Sequence, residues 1–106
     1  MSSTAQPPVH RITLFKIPSA EDQTTLLDIY RTMPSRAIKD GKPVAAGPSV
    51  DDARNQGYTI AVVSVFRSVE DMEYYDHHCQ AHAELKKVAK TLHKGNMMVY
   101  FQSVLP

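Results

Sequence analysis

A chain of 106 residues has room for one hydrophobic core and is too short for two. Its 12 basic and 11 acidic side chains leave a net charge of +1, without the basic stripe a nucleic acid needs, so no nucleic-acid partner is expected. No apolar run approaches the ~20 residues of a membrane-spanning helix, no charged-then-apolar leader opens the chain, and Cys79 has no second cysteine to pair with. The expectation is a soluble, cytoplasmic protein with no membrane contact.

Residues 1–8 are Ser, Thr, Ala, Gln and Pro after the initial Met, a composition that buries little, and read as a mobile tail before a domain spanning 9–106. Residues 9–17 alternate as a strand, with His10, Ile12, Leu14 and Lys16 on one face and Arg11, Thr13, Phe15 and Ile17 on the other. The face of His10, Ile12 and Leu14 is taken as the inward one. Pro18 stops the strand. Ser19 and Asp22 then resemble a capping box, opening a helix whose apolar positions Leu26, Ile29, Tyr30 and Met33 follow helical spacing until Pro34. Turn chemistry over residues 39–43 precedes a weak strand at 44–47 and a polar loop at 48–57.

Residues 58–66 carry β-branched and aromatic side chains on both alternating faces, so this strand should be covered on both sides. Ser68 with Asp71 repeats the cap pattern and opens a short helix holding Met72 and Tyr75. A second helical run follows from about Cys79 to Leu92, with Ala81, Leu85, Val88 and Leu92 as its buried stripe. After Gly95 a last strand covers 97–104, with Met97, Val99 and Phe101 on one face. The order is β-α-β-β-α-β, an α+β, ferredoxin-like arrangement in which helices cover one face of a four-stranded, mainly antiparallel sheet. The uncovered apolar face is expected to meet a second copy of itself in a homodimer.

Titratable chemistry concentrates at 74–82, where two tyrosines, an aspartate, three histidines and the cysteine fall within nine residues. His82 flanks the apolar stripe of its helix, Tyr75 and Tyr30 lie on apolar helix faces, and His10 shares a strand face with Ile12 and Leu14. A tyrosine on such a face is ordinarily core, and a lone buried histidine is ordinarily structural. His78 and His82, four residues apart, form half of a metal site, but the sequence supplies neither an HExxH motif nor a distant cysteine pair, so no metal is expected. Asp76, His77 and Cys79 read as surface. The lysines Lys86, Lys87, Lys90 and Lys94 read as a solvated face able to steer an anionic substrate.

The opening Val9-His10-Arg11-Ile12-Thr13-Leu14-Phe15-Lys16, the Gln56-Gly57-Tyr58-Thr59 entry to the third strand, the exit Phe66-Arg67-Ser68-Val69-Glu70-Asp71 and the segment 75–82 ending in Ala81-His82 resemble the stress-responsive dimeric α/β-barrel family. The resemblance covers roughly 9–104 and implies paired ferredoxin-like protomers forming a dimeric α/β barrel. Within that family the plant polyketide cyclase that forms olivetolic acid by intramolecular aldol condensation is similar at four positions. The resemblance implies that His82 and Tyr75 are catalytic, with a histidine at His10 and a tyrosine at Tyr30 completing the pocket. The chain departs from that cyclase by one extra residue between His78 and His82, by Cys79-Gln80 in place of a proline, and by Leu26-Leu27 in place of paired phenylalanines.

The expected function is therefore a cofactor-free polyketide-cyclase or lyase type of acid/base catalysis on a small apolar or polyketide-like ligand. His82 would remove a proton next to a carbonyl and the Tyr75 hydroxyl would hold the developing oxyanion. His10, Tyr30, Ile12, Leu14, Leu26, Val62 and His78 are the expected substrate contacts. The alternative is a non-catalytic stress-response dimer, with or without an apolar ligand: a barrel interior open to ~300 Å³ or more and lined by His10, Tyr75 and His82 favours the enzyme, and a filled interior favours the structural role.

Overall fold

Strand alternation and helix caps lay out the chain as seven main elements. A computed structural model describes residues 7–36 and 41–105. Most of the tail expected over 1–8, and the turn expected at Lys39 and Asp40, lie outside them. The elements run β1 (Val9–Phe15), α1 (Ala20–Arg36), β2 (Gly41–Pro48), β3 (Ile60–Phe66), α2 (Val69–His78), α3 (Gln80–Leu92) and β4 (Asn96–Gln102).

Both serine caps form as the sequence predicts. The Ser19 Oγ accepts from the Asp22 N–H at 3.3 Å, and the Ser68 Oγ accepts from the Asp71 N–H at 3.1 Å. Pro34 does not end α1, which continues to Arg36. A proline removes its own N–H from the helix ladder but leaves the next residues free to keep helical dihedrals. The second helical region breaks at Cys79, whose extended backbone (φ −79°, ψ 114°) separates α2 from α3 and ends any common helix face between His78 and His82.

The sheet has the order β2-β3-β1-β4, and every neighbouring pair is antiparallel. In register, Arg11 lies opposite Ser64, Thr13 opposite Val62 and Phe15 opposite Ile60. These residues face the helices, and Val9, Arg11, Phe15, Ile60, Val62, Ser64 and Phe66 are all buried. The helices contribute Leu26, Tyr30 and Met33 from α1, Met72 and Tyr75 from α2, and Ala81, His82, Leu85 and Ala89 from α3. The α3 stripe is thus rotated from the expected one: Val88 and Leu92 are half-buried at its edges, and His82 and Ala89 replace them beneath the helix.

The opposite face of the sheet holds His10, Ile12 and Leu14, the half-buried Ala61, Val63 and Val65, and Met97, Val99 and Phe101 from β4. Helices cover β3 on one side only within a single chain, so the two-sided cover expected for it is not met by one protomer. Edge strand β4 is exposed on both faces.

Candidate active site

Between α3 and the helix-facing side of the sheet lies an open cavity of about 680 Å³. Its floor is Arg11, Thr13 and Phe15 from β1 with Val62 and Ser64 from β3. Tyr30, Tyr75 and Asp76 close one end, α3 provides the roof from His82 to Lys90, and Asn96 and Met98 of β4 form the far edge.

The break at Cys79 swings α3 so that His82 returns over the last turn of α2. Carbonyls in such a turn run short of donors within their own helix. Two side chains of α3 supply them: the His82 Nδ1–H donates to the Tyr75 carbonyl at 2.9 Å, and the Lys86 Nζ donates to the Asp76 carbonyl at 2.6 Å. Because the acceptor is a carbonyl, Nδ1 must carry the proton, which leaves Nε2 as the lone-pair nitrogen of a neutral imidazole. The ring also stacks on Tyr75, with centroids 3.9 Å apart and planes 18° from parallel.

Electrostatics keep these groups neutral. Burial pushes His82 down from its usual 6.5 to about 4; Arg11 and Lys86 add to the shift, while the bond to the Tyr75 carbonyl and the nearby Asp76 oppose it. Burial also raises the phenols of Tyr75 and Tyr30 well above the usual tyrosine range, with the Arg11 cation pulling each partly back. Both therefore remain hydroxyl donors across the physiological range.

Arg11 stands on the β1 face opposite the one expected to be inward, and it lines the cavity. Its Nη1 donates to both oxygens of Asp76, at 2.8 and 3.0 Å, and its guanidinium lies over the rings of Phe66 and Tyr75 at 5.1 and 5.4 Å. Asp76, expected at the surface, is its partner, and Cys79 is also buried. A sequence signal for this parity existed. The row of His10, Ile12 and Leu14 ends in Lys16, whereas the row of Arg11, Thr13 and Phe15 ends in the fully buried Ile17, so the second row carries the bulkier core.

Of the expected contacts, Tyr75, His82, Tyr30 and Val62 line the cavity together. The others do not. His10, Ile12 and Leu14 point to the opposite face because strand side chains alternate: His10 stacks on Phe101 at 5.5 Å, Ile12 is 38 % exposed, and Leu14 borders a separate hollow with Tyr58 and Met97. Leu26 is enclosed in the core rather than at the cavity wall. His78 ends α2 on the exposed side, against Tyr74, and is cut off from His82 by the Cys79 break. Among the described residues, no three His, Cys, Asp or Glu side chains gather as a metal site would require, and no helix is long and apolar enough to cross a membrane.

The chain is 42% identical over 97 residues to the fusaristatin A biosynthesis cluster protein of Gibberella zeae, covering 88% of this chain and 70% of that one. Its fold is similar to the hydroxynitrile lyase of Passiflora edulis, with a TM-score of 0.78–0.79 shared by a dimeric ferredoxin-like protein of unknown function from Thermobifida fusca. The lyase is 17% identical, over 94% of this chain and 96% of that one. The Thermobifida protein is 19% identical, over 92% of each chain. A family model, the Stress responsive A/B Barrel Domain, matches residues 9–102, and the chain belongs to that family.

Proposed function

We propose that the protein is a small-molecule biosynthetic enzyme of the polyketide-cyclase or related lyase type, working by acid/base catalysis in the cavity under α3. The observation that carries this reading is the fixed tautomer of His82: its Nδ1–H is held by the Tyr75 carbonyl, so an unprotonated Nε2 is available as a base in a cavity of about 680 Å³. In this scheme Nε2 takes a proton from carbon beside a carbonyl, and the Tyr75 hydroxyl donates to the oxygen as it gains charge. The enolate then attacks a second carbonyl of the same chain, and the imidazolium returns its proton.

A base whose conjugate acid titrates near 4 is weak, so the substrate must already be acidic, as a poly-β-keto chain is. The similarity to a biosynthesis cluster protein supports a biosynthetic setting. We also read the working form as a homodimer, its open sheet faces closing into the barrel, in line with the dimeric Thermobifida protein of similar fold.

The test is wash-in of deuterium from heavy water into the central methylene of synthetic 3,5-diketo compounds, followed by NMR. The protein is expected to accelerate exchange by roughly 100- to 10,000-fold, the usual worth of positioned acid/base groups. His82→Ala should lose most of that. Tyr75→Phe should lose about 100-fold, as for one oxyanion donor. Exchange that is unaffected by both substitutions in a folded protein sinks the reading and leaves a non-catalytic barrel.

A further inference from the structure

Charge along the cavity is far from that of the chain. Among the described residues four cations, Arg11, Lys86, Lys87 and Lys90, line it against one carboxylate, that of Asp76, although the whole chain carries a net charge of only +1. The lysines sit along the exposed side of α3, and Arg11 lies at the floor with its side chain only 6 % exposed. Its Nη1 is given to Asp76, but its Nε is buried with no acceptor among the described residues. A buried donor left unpaired is costly, and a guanidinium packed against the two touching rings of Phe66 and Tyr75 and tied to Asp76 has little freedom to seek another partner. Beside this polar end the cavity is lined by Phe15, Val62, Leu85, Ala89 and Met98.

We infer that the substrate is a free acid: an apolar or keto chain bearing one carboxylate, which docks on the guanidinium of Arg11 while the chain lies along the apolar lining. The inference rests on the cavity being the substrate site, as in the reading above, and adds the chemical class of what enters it. Asp76 is then an internal stand-in that shares Arg11 with the incoming anion, and the α3 lysines draw that anion to the mouth.

The experiment is calorimetric titration with octanoate and with methyl octanoate, which share a chain and differ in charge. The wild-type protein should bind the acid about tenfold or more tighter than the ester, the worth of a charge-assisted pair. Arg11→Gln should erase that preference while ester binding persists. Asp76→Asn should strengthen octanoate binding and leave the ester unchanged, a gain that a purely structural ion pair does not give. If Arg11→Gln does not fold, the Asp76→Asn result decides alone. Equal binding of acid and ester by the wild type, a preference that survives Arg11→Gln, or weaker octanoate binding in Asp76→Asn overturns the inference. His82→Asn should keep the acid preference, so a protein that binds acids but shows no His82-dependent deuterium exchange would lose the catalytic reading and retain this one.

Discussion

His82 is where burial, hydrogen bonding and chemistry meet in one side chain. In the unfolded chain it titrates near 6.5 and in the fold near 4, so between those values the unfolded state holds more protons. Stability therefore falls as pH drops through that window and is unaffected by this group above it; the loss levels off below pH 4 at on the order of 3 kcal/mol. Thermal unfolding of the wild type from pH 7 to pH 4 should show this decline, and His82→Gln, which cannot titrate, should flatten it. The same shift places the acid limb of any His82-dependent rate near pH 4; a limb at 6.5 would mean that the imidazole is solvated in the working enzyme. Tyr75 and His82 were legible as inward-facing because helical spacing sets them on or beside an apolar stripe and the family resemblance points to the same two residues. Arg11 and Asp76 were missed, because their pairing depends on which face of β1 the helices cover, and alternation leaves that choice open unless the row ends, Ile17 against Lys16, are weighed. His10, Ile12 and Leu14, expected on the inward face, lie on the side of the sheet away from this cavity.

At the scale of elements, the loop into β3 carries the clearest backbone constraint. After the short turn Ala53–Asn55, Gln56 adopts a left-handed conformation (φ 52°, ψ 36°) and Gly57 follows with φ +89°. A side chain is disfavoured in both conformations, yet only the second position is glycine. Gln56→Gly should stabilise the protein by roughly 0.5–1 kcal/mol, and Gly57→Ala should destabilise it by about 1–2 kcal/mol, both read as shifts in urea midpoint. Crowding would not explain the second loss, since a Cβ at Gly57 would meet only the Lys16 side chain, at 3.8 Å. Element order and both serine caps were legible because they depend on local chemistry. The ends were less so: α1 outruns Pro34, β2 extends beyond the expected 44–47 to Gly41–Pro48, and β4 stops at Gln102. Strand ends follow from ladder partners distant in sequence, which no local pattern reports.

For the whole molecule, the sheet serves two purposes on two faces. Toward the helices it forms the cavity floor; on the other side Ile12, Met97, Val99 and Phe101 are each between 38 and 52 % exposed in a continuous patch crossing β1 and β4. Register makes the patch continuous, because His10 faces Phe101, Ile12 faces Val99 and Leu14 faces Met97 across the same ladder. An apolar surface of this kind on a small chain favours self-association, and a two-fold pairing of sheets buries it on both copies at once. Sedimentation should therefore find a dimer, with a melting temperature that rises with protein concentration. Ile12→Asp combined with Val99→Asp sets four carboxylates into that seam and should yield a monomer. Because the cavity lies on the helix side of the sheet and the apolar patch on the other, the monomer should still bind octanoate, less stable in heat but with the acid preference intact. Loss of binding in a folded monomer would show instead that the partner subunit completes the site, coupled through β1, whose alternate side chains reach both faces.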